Sequence, residues 1–120
     1  MLWSSGLSFV LVGAGGFVGT ILRYTFYQIL GPSIIATLSV NLLGAFLIGV
    51  VYSQSEKLPQ PHFAILTAGA LGGFTTFSAF TADTINLLKA GRLGLAVGYV
   101  LAMTLLGLLC TYFGFLVTRS

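Results

Sequence analysis

Residues 72–83 read Gly72-Gly73-Phe74-Thr75-Thr76-Phe77-Ser78-Ala79-Phe80-Thr81-Ala82-Asp83, inside a long apolar run. Each of the two glycines costs a helix interior about 1 kcal/mol relative to alanine. With Thr75 and Thr76 close behind, the stretch predicts a helix that breaks partway along its length. Unwound backbone at membrane depth survives only when it is buried in protein or lines a wet cavity, and its freed carbonyls can hold a cation. Beyond the break, Phe77 and Phe80 stand three apart and share one helix face, while Ser78 and Thr81 repeat that spacing beside them. Such an aromatic pair either packs a core or borders a pathway. Its place after a break and between hydroxyls speaks for the pathway.

Working outward, composition makes the surrounding solvent lipid. Of 120 residues, 57% are hydrophobic and 6% charged, and the mean hydropathy is +1.04. A soluble domain carries about a quarter of its residues as charges, so this chain cannot cover a surface with polar groups. The net charge is +3, but the bases Arg23, Lys57, Lys89, Arg92 and Arg119 are scattered. No row of phosphates could be neutralised, which excludes nucleic acid as a partner. Cys110 is the only cysteine, so an intrachain disulfide and a cysteine metal cluster are ruled out. Gly13-Ala14-Gly15-Gly16 has Val18 where a dinucleotide loop needs glycine, and His62 stands alone. Enzyme chemistry has no constellation to work with.

Charges and prolines divide the chain into four apolar pieces, residues 7–30, 34–53, 63–88 and 94–117. Each is long enough to cross about 30 Å of hydrocarbon. Short connections at Gly31-Pro32, 53–62 and Lys89-Ala90-Gly91-Arg92 force neighbouring helices antiparallel. The expected fold is an all-α membrane protein: one transmembrane domain over 1–120, with four helices in contact with lipid and a break in the third. The N-terminal run lacks the basic region of a signal peptide and is read as a retained first helix. With the N-terminus inside, Lys57 and Arg119 face the cytoplasm, while Lys89 and Arg92 face outward and Arg23 lies near the outer end of helix one. Neither side holds the basic excess that fixes orientation. A chain without orientation bias can insert both ways, so an antiparallel, dual-topology homodimer is expected. A bundle of four helices fills its own interior, which leaves the dimer interface for any polar route. Small residues four apart (Gly15/Gly19, Ala45/Gly49, Gly69/Gly73, Gly94/Gly98) offer close helix approach.

Few polar groups lie within the spans. Asn41, mid-way along helix two, is either glue between helices or a donor facing a pathway, and Thr37 one turn earlier extends its polar stripe. Arg23 is either an interfacial anchor beside Tyr24 and Tyr27 or a positive charge at a vestibule. The only carboxylates are Glu56, in a connection, and Asp83, toward the end of helix three. The middle is thus lined by donors: an amide, hydroxyls and phenyl edges, which carry the positive part of the ring quadrupole. These suit a small dehydrated anion.

At these residues the chain resembles the Fluc (CrcB-type) fluoride channel family. The resemblance rests on "GAGGFVGTILRY" (13–24), "SVNLLGAFLIG" (39–49) and above all "GALGGFTTFSAF" (69–80), and it covers essentially the whole chain. It implies an antiparallel dual-topology dimer in the bacterial plasma or inner membrane, with two fluoride pathways along the interface. Phe77 and Phe80 would present ring edges to fluoride, and Asn41 would donate a hydrogen bond. Thr76 and Ser78 would add polar lining, with Arg23 near the vestibule. The carbonyls of Gly72 and Thr75, with those of a second copy, would hold one structural sodium ion at the dimer centre. Ala79 stands where the family commonly has a hydroxyl residue and Asp83 where glutamate is usual. The hydroxyl track expected on helix four has Tyr99 and Thr104 as candidates, while Met103 and Gly107 supply none. The implied activity is passive fluoride export. The rival reading, a small multidrug-resistance-type transporter of cationic compounds, lacks the carboxylate it needs in helix one.

Overall fold

The computed structural model describes residues 6–119. The first helix, α1, spans Gly6–Leu30 and α2 spans Ile34–Ser53. The third crossing is composite. It begins with α3 (Gln60–Ala64), continues through a π-helical segment (Ile65–Leu71) into a single α-turn, α4 (Gly72–Phe74), and resumes as α5 (Phe77–Lys89). The last helix, α6, spans Leu93–Thr118. Four stretches, Gly6–Leu30, Ile34–Ser53, Gln60–Lys89 and Leu93–Thr118, are long and apolar enough to cross a membrane.

Local chemistry sets the boundaries. Gly31, at φ +82°, ends α1 in the left-handed conformation that glycine adopts without steric cost. Ser33 then caps α2, its Oγ accepting from the Ala36 N–H at 3.3 Å. At the end of α5, Gly91 takes φ +73°. Its N–H donates to Leu88 O and the Arg92 N–H reaches back to Leu87 O, the paired bonds of a Schellman stop. The third crossing starts within the proline-bearing connection because Pro61 sits in its first turn, where a missing N–H costs nothing.

Two close helix pairs build the bundle. Along α2 and α6, a methyl group at Gly49 would collide with the Thr111 carbonyl, and one at Gly114 with the Phe46 carbonyl. Along α1 and the third crossing, Gly19 meets the Ala70 carbonyl and Gly73 the Gly16 carbonyl in the same way. In lipid, backbone approach of this kind gains dispersion energy that larger side chains would block. Gly94 and Gly98 meet no atom within 4 Å in their own chain.

Little of the chain is enclosed. Phe80, Leu87, Ala96, Tyr99 and Met103 form one buried cluster between α5 and α6. Phe9, Ile29 and Phe77 are 77%, 75% and 74% exposed. A helix bundle that keeps so many large apolar groups outside is built for hydrocarbon rather than water.

The break lies downstream of the glycine pair that predicts it. Gly72 is helical, at φ −61° and ψ −36°. The extended residues are Thr75 (φ −84°, ψ 159°) and Thr76 (φ −147°, ψ 116°). Glycine permits unwinding without requiring it, and here the adjoining carbonyl of Gly16 needs Gly73 for its small size instead.

Candidate functional site

Two residues of extended backbone interrupt the third crossing, and Asn41 on α2 meets them. Its Nδ2 donates to the Thr76 carbonyl at 2.9 Å, and its Oδ1 accepts the Thr76 N–H at 2.8 Å. The side-chain amide therefore pairs edge to edge with one main-chain residue, as a neighbouring strand would. Backbone polar groups buried in an apolar bundle must find partners, and this contact supplies them at the break. The remaining Nδ2 hydrogen has the Met103 sulfur at 3.5 Å. Sequence alone leaves Asn41 as glue or donor. In the structure it is glue through one edge, with a second N–H held by a weak acceptor.

Thr76 also starts α5. Its Oγ1 accepts the Ala79 N–H at 3.1 Å, an N-cap bond, and lies 3.3 Å from Ser78 Oγ. Both diversions bear on a cation site. In an unbroken helix the Thr76 N–H would close onto the Gly72 carbonyl and the Ala79 N–H onto the Thr75 carbonyl. Asn41 takes the first donor and the Thr76 hydroxyl takes the second. The regular helical donors are thus withdrawn from both carbonyls expected to face sodium. A set of carbonyl oxygens suits a hard cation. Among the described residues no group of three or more His, Cys, Asp or Glu could hold a metal.

A cleft of about 540 Å³ runs beside the break. Its walls come from α2, the third crossing and α6, and include Asn41, Thr75, Thr76, Phe77, Phe80 and Met103. Phe77 and Phe80 meet edge to face at 5.7 Å, and Phe80 meets Tyr99 the same way at 5.2 Å. Phe80 is buried while Phe77 stands out from its own chain, so one ring is anchored in the bundle and the other leans on it with most of its surface exposed.

Other expected residues fall elsewhere. Ser78 is exposed and does not line the cleft, its hydroxyl turning toward Thr76. Position 78 is the second residue of α5 and points away from the face that Phe77 and Phe80 share. Arg23 also stands apart, because no wall residue comes from α1. Tyr99, a candidate for the hydroxyl track, donates to Asp83 Oδ2 at 2.8 Å from within the buried cluster. Thr104 does line the cleft, and so do Thr67 and Thr111, which sequence reasoning passed over. Each of the three hydroxyls donates to a carbonyl: Thr67 to Phe63, Thr104 to Val100 and Thr111 to Ala45. Thr104 and Thr111 are seven apart on one α6 face, the periodicity that could have revealed them.

Four crossings, the third of them broken and its extended backbone clamped by an amide beside a partly polar cleft, define a polytopic membrane protein. Residues 10–115 match the family model described as CrcB-like protein, Camphor Resistance (CrcB). A protein of Leptospira interrogans named "Fluoride-specific ion channel FluC" is 46% identical over 101 residues, covering 78% of this chain and 80% of the relative. Proteins of the same name from Chlorobium phaeobacteroides and Pseudomonas fluorescens Pf-5 are 42% and 39% identical, covering 88% and 90% of this chain and 88% and 94% of theirs. The chain belongs to the CrcB-like family, and the relatives it matches are named as ion channels rather than enzymes.

Proposed function

We propose that the chain is one half of a fluoride-selective channel, pairing antiparallel with a second copy so that each cleft becomes a pathway along the dimer interface. The observation that carries this reading is the cleft itself, a membrane-depth groove lined by Asn41, threonines and two phenylalanines, with no acidic residue in its walls. Fluoride is small and strongly hydrated, so a dry pathway must replace its water with several donors at once. The second Asn41 N–H and the ring edges of Phe77 and Phe80 are such donors. Phe77, 74% exposed, gains a covering wall when the second copy arrives. Export is passive: fluoride accumulated inside the cell leaves down its gradient, without ATP or proton coupling.

The carbonyls of Gly72 and Thr75 would hold a sodium ion together with those of the second copy. An ion held there would supply the positive charge that offsets converging carbonyl dipoles and would tie the two broken spans together. Gly72 is exposed in the single chain, as a residue shared across a dimer axis needs to be. A transporter of cationic compounds would need an acid in its first span, and α1 contains none; Asp83, on α5, accepts from the Tyr99 hydroxyl and lies outside the cleft walls.

The decisive experiment loads liposomes containing the purified protein with fluoride and chloride, adds valinomycin, and follows both anions with selective electrodes. Rapid fluoride release with chloride retained is expected, and Phe77→Ile should abolish it. Absence of fluoride release from folded native protein would overturn the reading. Replacing sodium by a bulky organic cation during purification and assay should lower both flux and dimer retention on size-exclusion chromatography. Unchanged behaviour would remove sodium from the site.

A further inference from the structure

Met103 lies at the one point where the Asn41 amide is not committed to backbone. Nδ2 carries two hydrogens; the Thr76 carbonyl takes one at 2.9 Å and the Met103 sulfur faces the other at 3.5 Å. The amide cannot turn over, because its Oδ1 is held by the Thr76 N–H at 2.8 Å. The sulfur is equally fixed, since Met103 is buried against Phe80 and Tyr99 while still forming part of the cleft wall. Thr104, the next residue along α6, has its hydroxyl donating to Val100 O. A thioether is therefore the partner of this N–H, and thioether sulfur is a weak acceptor.

We infer that Met103 is a positioning residue of the pathway, a displaceable acceptor that sets how readily the free Asn41 N–H is surrendered to a small anion. The inference rests on the fluoride reading above. An oxygen acceptor with no donor of its own, such as an amide carbonyl, would hold the N–H more firmly and oppose ion binding. A purely hydrocarbon side chain would leave the N–H unsatisfied in the ion-free state, so an arriving anion would bind more tightly and leave more slowly. The thioether stands between these extremes: it satisfies the donor enough to keep the cleft ordered and yields to a hard anion. Met103 thus acts on ion occupancy through Asn41, without touching the ion.

The composition of the chain makes a near-atomic test possible. Met1 and Met103 are its only methionines, so expression with norleucine in place of methionine exchanges sulfur for methylene at one internal position. Fluoride flux from liposomes is measured across a range of fluoride concentrations for native protein, the norleucine form and Met103→Leu. The expected result is a half-saturating fluoride concentration lowered by about 2–5-fold in the norleucine form, within the range one weak hydrogen bond commands, together with a lower maximal flux. Met103→Leu should shift in the same direction. A purely packing role would change the amount of active protein, and so maximal flux alone, with half-saturation unmoved. Equal half-saturation in native and norleucine protein overturns the inference while leaving the channel reading intact. Absence of fluoride flux from the native protein removes that reading and this inference with it.

Discussion

At Thr76 the third crossing loses its helical pairing, and a single side chain from another helix replaces it. Asn41 bonds both the N–H and the carbonyl of that residue, so its removal strands two backbone groups. Asn41→Ala should lower stability by about 1–3 kcal/mol, the cost of leaving buried polar groups unpaired, read as a lower melting midpoint in detergent. Asn41→Asp retains the acceptor for the Thr76 N–H but sets a carboxylate oxygen against the Thr76 carbonyl and adds negative charge to the cleft. Its expected outcome is loss of fluoride flux even in protein that still folds, and flux equal to native would show that the amide is no part of the pathway. Sequence singles out Asn41 because a primary amide in a run of leucines is conspicuous. Its partner is illegible there: position 76 lies 35 residues away, and the contact is to main chain, which leaves no mark on residue identity.

At the scale of the element, the glycines and the break belong to different problems. A glycine pair reads as the site of unwinding, yet Gly73 stays helical and accommodates the Gly16 carbonyl across the α1 interface. Gly73→Ala should therefore cost about 1–3 kcal/mol, as overpacking does. Gly98→Ala meets no atom within 4 Å in its own chain and should leave the melting midpoint equal or higher. Similar losses at both sites would contradict this assignment. The actual break is marked by its cap. The Thr76 hydroxyl accepts the Ala79 N–H, so Thr76→Val should cost about 1 kcal/mol while Thr76→Ser stays close to native. The cap is hard to see in sequence because Ala79 occupies the position where a capping box carries Glu or Gln. Four spans and a broken third are legible from hydropathy and local chemistry, both of which act over a few residues. The π-helical run at Ile65–Leu71 is not: the glycine spacing at 69 and 73 signals a close helix approach, which Gly69 makes against the Val12 carbonyl, but carries no mark of the helix type that forms there.

For the whole molecule, the proposed pairing with a second copy turns on how each chain is oriented in the membrane. Phe77 and the cleft face outward from one chain, and the basic residues give that chain no strong preference for either orientation. Lys57 sits in the connection between α2 and α3, while Lys89 and Arg92 bracket the turn between α5 and α6. If the working unit is an antiparallel pair, both insertions must occur in the same membrane, and biasing either one should cost activity. Exposed Ser55 and Gln60 can each take arginine, drawing their connection to the cytoplasm by the excess of positive charge. Ala90→Arg combined with Lys57→Gln biases the chain the opposite way. Each biased version expressed alone should give protein that inserts but carries little fluoride flux, because its copies all point one way. Expressed together, the two should form mixed pairs and recover flux toward the native level. Orientation can be checked independently by labelling a cysteine placed at position 55 or 90 in a Cys110→Ala background with a membrane-impermeant maleimide. Full flux from a singly biased version of verified uniform orientation would exclude the antiparallel pair. The cleft would then have to conduct within one chain or between parallel copies.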